Sequence, residues 1–140
     1  MIKSIDHHNF TVSNIEEALH FFCDLLGMKA NPIHEVKDNE RFQKILQMPD
    51  AWFRICTIQT PDNNLIELIE YIMPEGKKID LKTCNVGVSH IAFEVDNLDS
   101  ALVGKEVIGA PGSPSGGVRA AMIVHNGAPV ELIEFDKKHG

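Results

Sequence analysis

Two histidines and two glutamates recur in phase along this 140-residue chain, and together they could hold a metal ion. Residues 5–19 read IDHHNFTVSNIEEAL and residues 88–102 read VSHIAFEVDNLDSAL. The segments share His7/His90, Phe10/Phe93, Val12/Val95, Asn14/Asn97, Ala18/Ala101 and Leu19/Leu102. Each half then closes on Glu-Leu-Ile-Glu, at 67–70 and 131–134. A duplicated unit with one imidazole and one carboxylate per copy can place four ligands around a pseudo-twofold axis. Taken singly, a strand histidine is more often structural than ligating, and a strand glutamate more often a rim residue. The repetition in phase shifts that balance. Two neutral imidazoles and two carboxylates match a 2+ ion, and carboxylates on apolar strands need a partner. His7, Glu67, His90 and Glu131 are therefore the expected ligands of one divalent ion. The donor mix suits Ni, Co, Mn, Fe or Zn and disfavours Ca.

Positioning these groups requires strands, because alternation puts every second residue on one face. Residues 3–12 alternate as a strand. Ser13 and Glu16 have capping-box spacing, and a helical apolar pattern runs from Ile15 to a stop at Gly27. Further strands are expected over 29–36, 52–59 and 65–71, with a short helix over 41–48. Residues 61–64, Pro-Asp-Asn-Asn, make a turn. The second half repeats the plan: a strand over 88–95, a helix over 98–105 capped by Asp96, a weak strand over 107–110, and a flexible loop over 111–117. A hairpin of 118–125 and 129–135 closes across Asn126-Gly127. The expected organisation is one βαβββ module over 1–72, a connector over 73–86 and a second βαβββ module over 87–140. This is an α+β fold whose paired modules form a curved sheet around a metal-binding cleft.

Alternation sends Phe10, Val12, Phe93 and Val95 under the helices. It sends Asn9, Thr11, Ile69, Tyr71, Ala92, Glu94, Ile133 and Phe135 to the face of the four ligands, as the expected substrate pocket. His8, on the opposite face, reads as structural or exposed. His20, His34, His125 and His139 read as surface histidines, and Glu70 and Glu134 as rim charges. Asp50 is a weak candidate for an extra carboxylate. Arg54 and Arg119 are candidate anchors for an anionic substrate. The Gly-rich stretch 112–117 lacks the lysine and helix of a phosphate loop.

Composition narrows the partners. A net charge of −7 argues against nucleic acid, which wants a basic face. No apolar run reaches the ~18 residues of a membrane helix, so no membrane partner is expected, and the first residues carry no signal-peptide core. Three widely spaced cysteines, Cys23, Cys56 and Cys84, make no disulfide framework, which suggests a reducing cytoplasm. A small-molecule substrate and a homodimer are expected.

The chain resembles the vicinal oxygen chelate superfamily, the group of glyoxalase I, methylmalonyl-CoA epimerase, extradiol dioxygenases and the bleomycin and fosfomycin resistance proteins. The resemblance rests on Ile5-Asp6-His7, the run from Val12 to Leu25-Leu26-Gly27, Ile66-Glu67-Leu68, the octet 89–96 (SHIAFEVD) and Val130-Glu131-Leu132. It implies the same four metal ligands. All four positions are filled, as in the glyoxalase I and epimerase branches. Thr11 and Tyr71 depart from the glutathione-dependent glyoxalases, which resemblance would give Arg and Asn there. The implied function is an isomerase, lyase or epimerase. Its metal would stabilise the enediolate or enolate of a small substrate with two neighbouring oxygens, and Glu131 and Glu67 would carry the proton. The alternatives are a non-catalytic drug- or metabolite-binding protein and an iron-dependent dioxygenase.

Overall fold

The computed structural model describes residues 1–136, which divide into two compact units, Met1–Lys78 and the segment from Ile79 onward. The first unit begins with strand β1 (His8–Thr11) and helix α1 (Ile15–Leu19), which runs on as a π-helical segment, His20–Leu25. Strands β2 (Lys29–Ala30) and β3 (His34–Val36), helix α2 (Glu40–Leu46) and the long strands β4 (Trp52–Gln59) and β5 (Leu65–Met73) follow. The sheet order is β1-β5-β4-β2, with β3 also paired to β4, and β1 lies parallel to β5. The second unit carries β6 (Ile91–Glu94), α3 (Leu98–Leu102), β7 (Ile108–Ser115), β8 (Val118–His125) and β9 (Ala128–Phe135). Its sheet runs β6-β9-β8-β7, with β6 parallel to β9. The chain is thus α+β, and the internal repeat is a repeat of topology.

Alternation sorts each sheet into two faces. In the first unit Phe10, Val12, Cys56, Ile58, Ile66 and Leu68 are buried together with Ile15 and Ala18 of α1. Two adjacent phenylalanines, Phe21 and Phe22, are also buried. The π-helical winding suits them, because fewer degrees per residue let neighbours share a face. Phe22 stacks on Phe10 with ring centroids 6.0 Å apart. The other sheet face carries Phe53, Ile69 and Tyr71, where Phe53 and Ile69 form a core with Ala51, packed by Val36, Leu46 and Met48.

Both helices that follow the first strand of a unit are capped the same way, and not as the sequence suggested. Asn14 and Asn97 are the N-caps, in place of Ser13 and Asp96. Asn14 accepts from the Glu17 N–H at 2.9 Å, and Asn97 from the Ser100 N–H at 2.8 Å. Asparagine sits where the backbone is still extended, so its short side chain reaches back over the first turn. A second acceptor comes from the sheet. Glu70 accepts from the Ile15 N–H at 3.1 Å, and Glu134 from the Leu98 N–H at 3.0 Å. The second glutamate of each Glu-Leu-Ile-Glu motif is therefore a cap that ties helix to strand. Replacing Glu70 with Ala should cost about 1.5–3 kcal/mol, the range for losing a charged hydrogen-bond acceptor. Urea unfolding checks this, with exposed Glu75→Ala as the control expected to change little.

Other boundaries shifted for local reasons. The strand expected over 29–36 is broken at Asn31-Pro32, since proline cannot donate to a ladder. The stretch 111–117, expected as a flexible loop, pairs with β8 as far as Ser115, with register shifts between Ile108, Gly112 and Ser115. An edge position tolerates its prolines. The Asn126-Gly127 turn is as expected, with φ of 51° and 88°.

Candidate metal centre

Each unit brings its own histidine and glutamate together. In the first, His7 Nε2 lies 3.7 Å from Glu67 Oε2. In the second, His90 Nε2 lies 3.8 Å from Glu131 Oε1. Both histidines stand one residue before the first strand of their unit, where strands over 3–12 and 88–95 were expected. Both glutamates are held by the parallel pairing: Asn9 faces Glu67, and Ala92 faces Glu131. Since residues two apart point the same way, the histidine ring is carried to the glutamate's face in both halves.

The donor sets fit a first-row divalent ion. Two ligands at ~2.1 Å from such an ion are about 3.0–3.4 Å apart, so each pair needs a shift of only a few tenths of an ångström to share one. The rings and carboxylates are partly exposed, at 40% and 20% for the first pair and 44% and 26% for the second. Neither is locked away from an incoming ion. Among the described residues, no group of three or more His, Cys, Asp and Glu side chains is placed to hold a metal.

The surroundings of the two pairs differ. His7 Nδ1 is 2.7 Å from Asp6 Oδ2, and a carboxylate only accepts, so Nδ1 carries a proton and Nε2 is the nitrogen on the side of Glu67. The bond to Asp6 raises the His7 pKa; burial opposes this, and the Glu67 charge adds to it. Asn9 donates to Glu67 Oε1 at 3.2 Å and to its backbone carbonyl at 3.4 Å. In the second unit Ser89 and Ala92 stand at the places of Asp6 and Asn9. Among the described residues, neither His90 Nδ1 nor the Glu131 carboxylate has a hydrogen-bond partner.

The expected pocket residues divide. Asn9, Thr11, Ala92 and Glu94 are exposed, Phe135 is exposed at a strand end, and Ile133 is half-buried beside Ala120. Ile69 is buried in the Phe53 core, and Tyr71 packs against Phe53 with centroids 5.5 Å apart. Burial raises the Tyr71 pKa, with a further contribution from the Glu67 charge. A hollow of about 390 Å³ opens beside Glu131, lined also by Ile108, Ala110, Ala120 and Met122. The sequence did not single these residues out. Met122 faces Glu131 across the ladder, so the alternation of β8 was the signal that could have found it.

Arg54 and Arg119, proposed above as substrate anchors, point to the helices. Arg54 pairs with Glu16 of α1 and, at 3.3 Å, with Glu70. Arg119 pairs with Asp99 of α3 at 3.1 Å and with Glu134 at 3.7 Å. Both guanidiniums are occupied by carboxylates. Asp50 is exposed at the end of a loop, and His139 lies outside the described residues.

A model of the glyoxalase/bleomycin resistance protein/dioxygenase superfamily matches residues 6–122. No curated protein matches the chain. Among solved structures, a glyoxalase family protein from Bacillus cereus superposes with a TM-score of 0.81 at 20% identity, covering 97% of this chain and 96% of the other. The trypanothione-dependent glyoxalase I of Leishmania major gives 0.64 at 17%, covering 99% and 89%. A fosfomycin resistance protein from Listeria monocytogenes gives 0.59 at 15%, covering 99% and 98%. At these identities the likeness is one of fold. Among the described residues no helix is long and apolar enough to cross a membrane.

Proposed function

The chain belongs to the glyoxalase/bleomycin resistance protein/dioxygenase superfamily, and on that premise we propose that it is a metal-dependent isomerase, lyase or epimerase of a small substrate with two neighbouring oxygens. The observation that carries the reading is the duplicated His–Glu pair, at 3.7 Å in one unit and 3.8 Å in the other, on the same register of two parallel strand pairs. Two donors are few for an ion and four are enough, so His7, Glu67, His90 and Glu131 form the set, with a homodimer as the working form. A divalent Ni, Co, Zn, Mn or Fe ion bound there supplies Lewis acidity to two adjacent oxygens of the substrate and so makes its neighbouring C–H acidic.

The protein's own groups do the rest. Glu131, beside the hollow and without a hydrogen-bond donor among the described residues, takes the proton from carbon and returns it. Glu67, tied to Asn9, is the more fixed carboxylate and serves the opposite face of the substrate. Ile108, Ala110, Ala120 and Met122 offer an apolar wall to part of the substrate. The arginines are paired elsewhere, so the described residues of the second unit offer no guanidinium to a strongly anionic substrate. A neutral substrate with an apolar body suits this wall. Trypanothione, named for the Leishmania relative, is not implied.

The test is elemental analysis of the purified protein followed by α-proton exchange in deuterated water with a panel of hydroxyketones and α-hydroxyacids. Exchange that stops on chelation and returns with added metal is the expected result. Ligand binding that survives chelation, without exchange, would point to the binding-protein alternative, and oxygen consumption with Fe(II) to a dioxygenase.

A further inference from the structure

We infer that Asp6 and Asn9 are positioning residues that make the first His–Glu pair the metal-capturing half of the site, leaving the second pair, His90 and Glu131, unbraced. This rests on the metal-centre reading above and adds an inequality between halves that the duplicated sequence hides.

The physical argument starts from what a ligand loses on binding. A free imidazole turns about two side-chain torsions and exchanges its proton between two nitrogens, so an ion must select one orientation and one tautomer. The Asp6 carboxylate, 2.7 Å from His7 Nδ1, makes that selection beforehand. It fixes the proton on Nδ1, aims Nε2 toward Glu67 and adds electron density to the ring. The Asn9 amide does the corresponding task for the carboxylate. It holds Glu67 Oε1 at 3.2 Å and leaves Oε2, the oxygen nearer His7, for the ion. A preorganised pair pays less conformational entropy on binding than a loose one.

In the second unit both braces are missing for reasons of composition. Ser89 replaces the carboxylate, and Ala92, with no polar side chain, replaces the amide. Yet the pairing is preserved, with Ala92 opposite Glu131 as Asn9 is opposite Glu67. The backbone therefore offers the same place for a brace in both halves, and only the first half fills it. The Asp6 side chain is 91% exposed, so water competes with His7 for it, and its effect belongs at the lower end of the 10–100-fold typical of such partners.

The experiment is an equilibrium Co(II) titration of the full chain, followed by ligand-field absorption, for wild type, Asp6→Ala, Asp6→Glu, Asn9→Ala and Ser89→Ala. Thermal melting of each metal-free protein is measured alongside. About a tenfold weaker Kd is expected for Asp6→Ala and for Asn9→Ala, partial rescue in Asp6→Glu and no change in Ser89→Ala, with metal-free melting close to wild type throughout. His90→Ala should retain more Co(II) than His7→Ala. An unchanged Kd in both Asp6→Ala and Asn9→Ala overturns the inference while leaving the metal reading intact, as does a loss in Ser89→Ala equal to theirs. A loss of affinity matched by a loss of metal-free melting temperature also overturns it, because the two residues would then serve the fold. Wild-type protein that takes up no Co(II) removes the metal reading and this inference together.

Discussion

Metal-saturated Glu131→Gln should retain bound metal and lose α-proton exchange by about 10²–10⁴-fold, the usual contribution of a general base. The substitution keeps an oxygen that can ligate, and removes the basicity and one negative charge. Metal affinity should fall moderately, since His7, Glu67 and His90 remain. His7→Ala, in the braced pair, provides the contrast: it should lose metal and exchange together. Occupancy must be held at saturation, or weak binding will imitate lost chemistry. Glu131 is substituted ahead of Glu67 because of its surroundings. Glu67 is engaged by Asn9 at 3.2 Å, whereas Glu131 borders the 390 Å³ hollow. Exchange at the wild-type rate in metal-saturated Glu131→Gln would remove Glu131 as the base and move the role to Glu67.

Phe53→Ala should cost the first unit about 3–5 kcal/mol of stability, the range for truncating a buried aromatic. Phe53 is fully buried, with the rings of Phe42 and Tyr71 at 5.4 and 5.5 Å and Ile69 in the same cluster. Ile69 and Tyr71 lie on the strand face that carries Glu67, so a cavity there loosens the support of Glu67 as well as the core. Phe42→Ala, at a ring 37% exposed, should cost clearly less. Urea unfolding of the two variants settles the order, and a larger loss in Phe42→Ala would contradict the packing described. Co(II) affinity of folded Phe53→Ala should also weaken, whereas Phe42→Ala should leave it near wild type.

Much of the architecture was legible because its signals are local and periodic. Strand β4 over Trp52–Gln59 and strand β8 over Val118–His125 match the alternation read from the residues. Asn126-Gly127 fixed its hairpin because both residues tolerate positive φ. The burial of Phe10 and Val12 against exposed Asn9 and Thr11 follows directly from period two. Helix ends were less legible. Ser13 and Asn14 are both good caps, and the sequence pattern favoured Ser13-x-x-Glu16. What decided for Asn14 was the carboxylate of Glu70, which arrives from a strand more than fifty residues later.

The roles of the charged residues divide along the same line. The sequence by itself determined that each half carries one imidazole and one carboxylate at equivalent places, because duplication preserves spacing and a strand converts spacing into a face. It also determined the topology that repeats with them. Tertiary structure decided what the remaining charges do. Arg54 and Arg119 are not substrate anchors, and Glu70 and Glu134 are not rim charges, because each arginine meets helix and strand carboxylates of its own unit. Those contacts join residues far apart in the chain, and no periodicity encodes them. The difference between the two halves was of the same kind. Asp6 and Asn9 are visible in the sequence, but only the fold puts their polar atoms within hydrogen-bond reach of His7 and Glu67.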